Sequence, residues 1–295
     1  MKYKTLFFTG LFFALLLPLA YLYLQKNDKF VTFEIESNHP YNPAFDTQPL
    51  SPDAFDEVRA ALSQPYTYFG CGGQAFVFFS EDGKYAIKFF KQRHFREPTY
   101  LNYIPFINQY KILKFAKRKK RMEREYGSYK LGFEELPQET ALVYLHLNRT
   151  DCFNKKITLI DKLSTQHQID LDTTDFILQR KAELIPDAIN ISMQNHHSEN
   201  AKKVISEVVN LIVHRCKLGY GDKDPNIATN CGFFQGRAIK IDVGRFYRDP
   251  KMQLPLFYKP ELFHLTRPFH KWLQDHHPEL VEHLEQEVQH VIFHG

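Results

Sequence analysis

The sequence lacks the features that mark several common classes of protein. Its 295 residues include four cysteines and no C-x-x-C pair, which argues against a zinc knuckle or a thioredoxin-type motif. The formal net charge is only +4, so nothing indicates nucleic-acid binding. Internal repeats and low-complexity blocks are absent, while Phe and Tyr are abundant. The composition therefore predicts a packed globular body, and we expect the widely separated cysteines to be free thiols: Cys71, Cys152, Cys216 and Cys231.

The N-terminal segment differs in composition from the rest of the chain. Residues 5 to 24 read TLFFTGLFFALLLPLAYLYL and carry no charge, with lysines on both sides. A helix of about 20 such residues spans the hydrocarbon core of a bilayer. We predict a membrane anchor within residues 1–30, and a cleaved signal segment is the alternative. Residues 31–60 contain many Pro, Asn, Asp and Ser residues, which is typical of a linker.

The remaining segments alternate between strand and helix patterns. The sequence predicts a hairpin with its turn at Glu81-Asp82-Gly83, and a strongly periodic helix over 201–216. Further expected elements are a helix at 103–133, strands at 140–147, 156–163, 227–231 and 237–241, and a helical tail. This order predicts an α+β protein with a small β-rich lobe at 61–163 and a larger α-rich lobe at 164–295.

A glycine-rich run lies in the first half of the hairpin. Its sequence G-C-G-G-Q-A-F-V-F places small residues where backbone amides could approach a phosphate without an intervening Cβ; these are Gly70, Gly72, Gly73 and Ala75. The dinucleotide-binding fingerprint has similar glycines but requires a helix directly after them. A strand follows here, so that interpretation is excluded.

Lys88 lies within the next strand, in the sequence Y-A-I-K. Successive side chains of a strand point to opposite faces, so Lys88 points away from its apolar neighbours Ile87 and Phe89. A lysine so placed near a glycine-rich turn can reach the phosphates of a nucleotide. An ordinary solvated lysine is the alternative.

Together, G-x-G-x-x-A-x-V and A-I-K resemble the protein-kinase-like superfamily. The resemblance implies a two-lobed fold that binds ATP with Mg²⁺, in which Val77 contacts the nucleotide and Lys88 holds its phosphates. It also implies a helical carboxylate that orients Lys88. Glu125 is favoured for that role because it lies near the apolar stripe of its helix, and Glu123 is the rival.

The second half of the chain carries a matching acidic segment, GYGDKDPNIATNCGFFQGRAIKIDVGRF, over residues 219–246. Phosphoryl transfer needs carboxylate and amide oxygens that converge on Mg²⁺. Asn226 and Asp242 are the expected metal ligands, and Asp222 is the favoured catalytic base. In the alternative register, Asp224 is the base and Asn230 replaces Asn226. The Gly-Asp and Pro-Asn pairs are similar to those of aminoglycoside phosphotransferases.

The resemblance is incomplete in the catalytic loop and beyond it. Tyr220-Gly221 replaces the usual His-Arg or His-Gly pair, and no Ala-Pro-Glu follows Asp242. We therefore expect transfer of the ATP γ-phosphoryl group to a hydroxyl acceptor, on a protein or a small molecule. The alternatives are an inactive pseudokinase that acts as a binding module, and a lipid- or sugar-directed kinase. Because the reaction needs ATP, the cytoplasmic side of the membrane is favoured.

Overall fold

The structure, a computed structural model, describes residues 21–22, 24–97 and 108–294, with only the backbone of residue 108. The chain divides into two compact units. Among the described residues, the first unit falls within the ranges 1–42, 50–115 and 146–177, and the second within 43–49, 116–145 and 178–295.

The strands of the described residues are short. In chain order they are β1 (Tyr66–Cys71), β2 (Ala75–Ser80), β3 (Tyr85–Phe90), β4 (Leu142–His146), β5 (Lys156–Ile160), β6 (Gln166–Asp170), β7 (Phe176–Arg180), β8 (Glu183–Leu184), β9 (Tyr220–Asp222), β10 (Cys231–Phe234), β11 (Arg237–Lys240) and β12 (Phe246–Arg248).

The helices range from single turns to long rods. The α-helices are α1 (Pro52–Ala61), α2 (Asn108–Glu134), α3 (Pro137–Thr140), α4 (Ile185–Gln194), α5 (Ser198–Lys217), α6 (Ile227–Asn230), α7 (Pro255–His276) and α8 (Val281–His294). Single 3₁₀ turns occur at Thr32–Glu34, Pro43–Phe45, Gln92–His94, Pro250–Gln253 and Pro278–Leu280.

The first unit is built on the strand order β6-β5-β1-β2-β3. Neighbouring strands are antiparallel except β1 and β5, which are parallel. Strand β2 alternates buried and half-buried residues, so Phe76 and Phe78 point into the core. The ring of Phe30 packs edge-on against both, with centroid distances of 5.2 and 5.3 Å. This aromatic packing fixes which face of the hairpin is internal.

The second unit has a helical core. Helix α5 buries an apolar stripe that includes Val204, Val208 and Ile212, and α7 contributes Leu265 and Phe269 to the same cluster. Burial of a side chain of this size stabilises the fold by roughly 1.5–3 kcal/mol. The small hairpin of β10 and β11 packs on this unit, and β9 pairs with β12.

The α+β class predicted from the sequence is confirmed, and the four cysteines are free thiols. The predicted strand at 227–231 is wrong, because residues 227–230 form one helical turn and the strand begins at Cys231. The predicted membrane span at residues 5–24 lies outside the described residues except for 21, 22 and 24. In the described part of the chain, no helix has both the length and the hydropathy needed to cross a membrane.

Candidate functional site

The glycine-rich turn lies between β1 and β2 in the first unit. The register of the two strands shifts between Tyr68 and Gly70, which is a β-bulge that bends β1 next to the turn. The Gly72 N–H donates to the Ala75 carbonyl at 3.0 Å and closes the turn. A Cβ added to Gly70, Gly72 or Gly73 would meet nothing within 4 Å. The turn therefore leaves open space beside its backbone.

Three of the predicted nucleotide-binding residues share one face of the sheet. Val77 on β2 pairs directly with Lys88 on β3, and Ala75 pairs with Phe90. Directly opposed residues of antiparallel strands point to the same face, and alternation along β2 adds Ala75 to that face. Lys88 is 8% exposed and every residue of β3 is buried. The structure thus brings Ala75, Val77 and Lys88 together beside the glycine-rich turn.

Glu125 lies on α2, in the part of that helix that belongs to the second unit. It is fully buried, whereas Glu123 is exposed. Arg121 Nε lies 2.8 Å from Glu125 Oε1, and Arg124 lies 3.4 Å from it. Burial raises the pKa of Glu125, and the two arginines offset part of that rise. Of the two candidates, Glu125 is the internal one, and its pairing with Lys88 stays a prediction.

Asp222 lies at the end of β9 inside a buried charge network. Lys240 Nζ approaches Asp222 Oδ2 at 2.6 Å and Arg215 approaches it at 3.3 Å. Arg215 also pairs with Glu261 at 3.2 Å. Burial lowers the pKa of Lys240, but the neighbouring Cys231 and Asp222 more than offset this, so the pKa lies above its ordinary value. The network holds charged side chains from β9, β11, α5 and α7 together.

The remaining atoms of Asp222 are also engaged. Its N–H donates to Glu261 at 3.0 Å, and its Oδ1 accepts the Asp224 N–H at 2.9 Å. The cavity that Asp222 and Asp224 adjoin has a volume of about 20 Å³. Such a volume holds a water molecule. The contacts of Asp222 are those of a carboxylate that organises the loop.

Asp224 lies two residues further along and is only half-buried. Its Oδ1 accepts the Asn226 N–H at 3.2 Å, while its carbonyl accepts from Lys240 at 3.1 Å. Asn226 is exposed and caps α6, since its side chain accepts the Thr229 N–H at 3.2 Å. This cap explains why residues 227–230 form a helical turn rather than a strand.

Asp242 and Asn230 are neighbours in the second unit. The Asn230 carbonyl accepts from the N–H groups of Ile241 at 2.8 Å and Asp242 at 3.3 Å. Asp242 is half-buried, and its Oδ1 accepts from the Tyr129 hydroxyl at 3.3 Å and the Gly244 N–H at 3.2 Å. Burial raises the pKa of Tyr129 well above its ordinary value, and Asp242 adds to that shift. Tyr129 is therefore a neutral donor that orients the Asp242 carboxylate.

Helix α2 packs closely on the Asp-Val-Gly segment. The Ser128 hydroxyl hydrogen-bonds to the Val243 carbonyl, and the Phe246 N–H donates to Ser128 Oγ at 2.7 Å. A Cβ on Gly132 would lie 2.5 Å from Val243 Cγ1, so only glycine allows this approach. Sequence reasoning missed Ser128 and Gly132. A glycine in the interior of a helix was the available signal.

Asp242 supplies a carboxylate, the type of oxygen ligand that a hard cation prefers. Among the described residues, no group of three or more His, Cys, Asp or Glu side chains could hold a metal by itself. Mg²⁺ usually takes one or two carboxylates and fills its other positions with water and substrate phosphates. The carboxylate of Asp242 therefore fits Mg²⁺ that arrives with a nucleotide, and does not fit a metal held by protein alone.

Comparisons with known proteins identify remote structural neighbours, among them WbdD and Rv3197. No protein-family model matches the chain, and neither does any curated protein. The chain is similar to the bifunctional kinase-methyltransferase WbdD with a TM-score of 0.36 and 14% identity, over 73% of this chain and 43% of that one. It is also similar to Rv3197 from Mycobacterium tuberculosis, solved as the Rv3197-erythromycin complex, with a TM-score of 0.35 and 14% identity, over 82% of this chain and 67% of that one.

Both likenesses concern the fold alone. The chain spans less than half of the WbdD chain that it matches. A functional assignment therefore depends on the residues of this chain.

Proposed function

We propose that the chain is a kinase-like phosphotransferase, with a two-lobed kinase-like fold, that moves the γ-phosphoryl group of ATP to a hydroxyl acceptor. The observation that carries this proposal is the shared face of Ala75, Val77 and Lys88 beside an open glycine turn. A cation held in a buried strand has a fixed position, and phosphoryl transfer depends mainly on positioning and on neutralising charge.

Three of the predicted residues have the following roles in this proposal. Lys88 binds the α- and β-phosphates, and Glu125 orients Lys88. Asp242 binds the nucleotide-associated Mg²⁺, and its orientation by Tyr129 supports that role. The metal, when bound, neutralises charge that develops on the phosphates.

The contacts of the acidic loop favour the alternative register. Asp222 already neutralises Lys240 and Arg215, and a base must have room for a substrate hydroxyl. Asp224 is half-buried and makes fewer contacts. We therefore propose Asp224 as the base and Asn230, whose backbone carbonyl accepts the Asp242 N–H, as the second metal ligand in place of Asn226.

A thermal-shift experiment on the full-length chain in detergent tests nucleotide binding. A ligand at 100 times its Kd stabilises a protein by about 2.7 kcal/mol, so ATP with Mg²⁺ should raise the Tm by several degrees. The variant Lys88→Met keeps the aliphatic stem of this buried side chain and should lose most of that shift. Lys84→Met is the matched control, because Lys84 lies on the same hairpin with a side chain that is 71% exposed.

The outcomes separate the candidate functions. An ATP shift that is absent in the wild type, or equal in the wild type and Lys88→Met, contradicts the proposed site. An ATP shift without any phosphoryl transfer indicates the pseudokinase. Transfer to a lipid or sugar hydroxyl, with none to protein, indicates the small-molecule kinase that the predicted anchor at residues 5–24 suits.

A further inference from the structure

Lys91 is a buried cation behind the glycine turn. It directly follows β3 and is 4% exposed. Its Nζ donates to the Gly72 carbonyl at 2.6 Å and lies 4.7 Å from the ring centroid of Phe76. In the described part of the chain, no carboxylate lies within ion-pair distance of it. Burying a cation is costly, so its position calls for an explanation beyond packing.

Lys91 and Lys88 approach the turn from opposite faces of the sheet. Lys91 contacts Phe76, which pairs with Phe89. Lys88 pairs with Val77, and adjacent residues of a strand point to opposite faces. Lys91 therefore lies on the aromatic face, away from the proposed phosphate site. A direct role as a second phosphate ligand is excluded by this geometry.

The segment that follows β3 engages three consecutive carbonyls of the turn. Lys91 Nζ donates a hydrogen bond to the Gly72 carbonyl, and His94 Nε2 lies 2.9 Å from the Gly73 carbonyl oxygen. The Lys91 backbone N–H donates to the Gln74 carbonyl at 2.8 Å. The orientation of these three carbonyls is therefore set by the segment that follows β3.

The direction of the carbonyls determines the direction of the adjoining N–H groups. A trans peptide is planar and places the N–H opposite the preceding carbonyl. The N–H groups of Gly73 and Gln74 thus point away from Lys91 and His94. Successive N–H groups that point the same way form a concave site for anions.

We propose that Lys91 and His94 are positioning residues that brace the glycine turn from behind and aim its N–H groups at the phosphates of a nucleotide. The choice of a nucleotide as the ligand rests on the proposed function. The bracing contacts themselves rest only on the geometry of the first unit. Glycine residues lose much conformational entropy when a turn becomes ordered. Because Lys91 and His94 order the turn in the nucleotide-free protein, the nucleotide does not have to supply that free energy when it binds.

Hydrogen exchange on the nucleotide-free, full-length chain tests the brace without any ligand. A hydrogen bond from a charged donor contributes about 1.5–3 kcal/mol, which corresponds to roughly 10- to 150-fold in an opening equilibrium. In Lys91→Met, exchange of the Gly72 amide, which is bonded to the Ala75 carbonyl, should rise by about 10-fold or more. Exchange within β2 should stay unchanged. Lys155→Met is the control, because Lys155 is exposed in the same unit and donates to Ser63.

Nucleotide affinity tests the consequence for the phosphates. Lys91→Met should weaken ATP binding by about 10-fold and leave adenosine binding unchanged, and Lys91→Arg should restore part of the ATP affinity. Equal losses for ATP and adenosine, together with faster exchange throughout β2, would show a merely structural lysine and overturn the proposal. So would unchanged exchange at Gly72. If the wild type binds neither ligand, the proposed function fails, while the exchange data still decide whether the brace exists.

Discussion

Replacing Asp222 by Asn separates a structural role from a catalytic one. The substitution removes the negative charge that Lys240 meets at 2.6 Å and Arg215 at 3.3 Å. Lys240 then keeps neutral acceptors, such as the Asp224 carbonyl, but loses its negatively charged partner. Removing one partner of a buried ion pair costs about 3–5 kcal/mol, because the other charge stays buried without compensation.

The loss is large enough to measure by two methods. In domains of 150–250 residues each kcal/mol shifts the Tm by about 2–4 °C, so Asp222→Asn should lower it by roughly 6–20 °C. Urea unfolding should show the same loss in the free energy of unfolding. Asp224→Asn is the matched control, and its half-buried side chain should change the free energy of unfolding by less than about 1 kcal/mol.

Activity completes the comparison of the two aspartates. A positioned base contributes typically about 10²- to 10⁴-fold to the rate, so Asp224→Asn should lower turnover within that range and leave ATP binding intact. A fully stable Asp222→Asn protein would refute the network argument. If that protein is also inactive, the register with Asp222 as base is correct.

Three further predictions concern packing, pH and the membrane. Gly132→Ala should destabilise the chain by about 1–3 kcal/mol through overpacking. Gly127→Ala on the same helix meets nothing within 4 Å and should stabilise the chain by about 0.5–1 kcal/mol. Equal changes in the free energy of unfolding, measured in urea, would contradict the close contact of Gly132. Burial lowers the pKa of His39, but its 3.0 Å hydrogen bond to Asp175 leaves that pKa raised overall. The stability that the His39–Asp175 pair contributes is therefore present below the unfolded pKa of about 6.5 and is lost as the pH rises through the folded pKa. The loss caused by His39→Gln should thus be larger at acidic pH than at alkaline pH, and a pH-independent loss would contradict this sign. Residues 5–24 should hold the chain in the membrane fraction against carbonate, and recovery of a soluble form that begins near residue 25 would indicate a cleaved signal instead.

The hairpin and the long helix could be predicted because their signals are local. The turn at residues 81–83 and the apolar runs on both sides of it specify β2 and β3 closely. The predicted helix at 201–216 matches α5 within three residues. In both cases the local sequence determines the element.

The acidic loop could not be predicted because its interactions are distant in sequence. Asp222 meets Lys240 and Arg215 only after the chain has folded, so the Gly-Asp and Pro-Asn pairs that favour Asp222 as the base carry no sign of this network. The prediction of a strand after Asn226 failed because a capping side chain competed with β propensity. A cap three residues before Thr229 is a local signal.

The buried charge network also constrains how this sequence can change over generations. Its four side chains come from separate parts of the chain: Arg215, Asp222, Lys240 and Glu261. Because two of them are positive and two are negative, loss of any one leaves a buried charge that the others do not neutralise. Replacement of a whole buried ion cluster by apolar residues can be neutral or stabilising. A library randomised at all four positions and selected for folding should therefore yield two separate populations, one that keeps the charges and one that is apolar throughout, with few single-step intermediates between them.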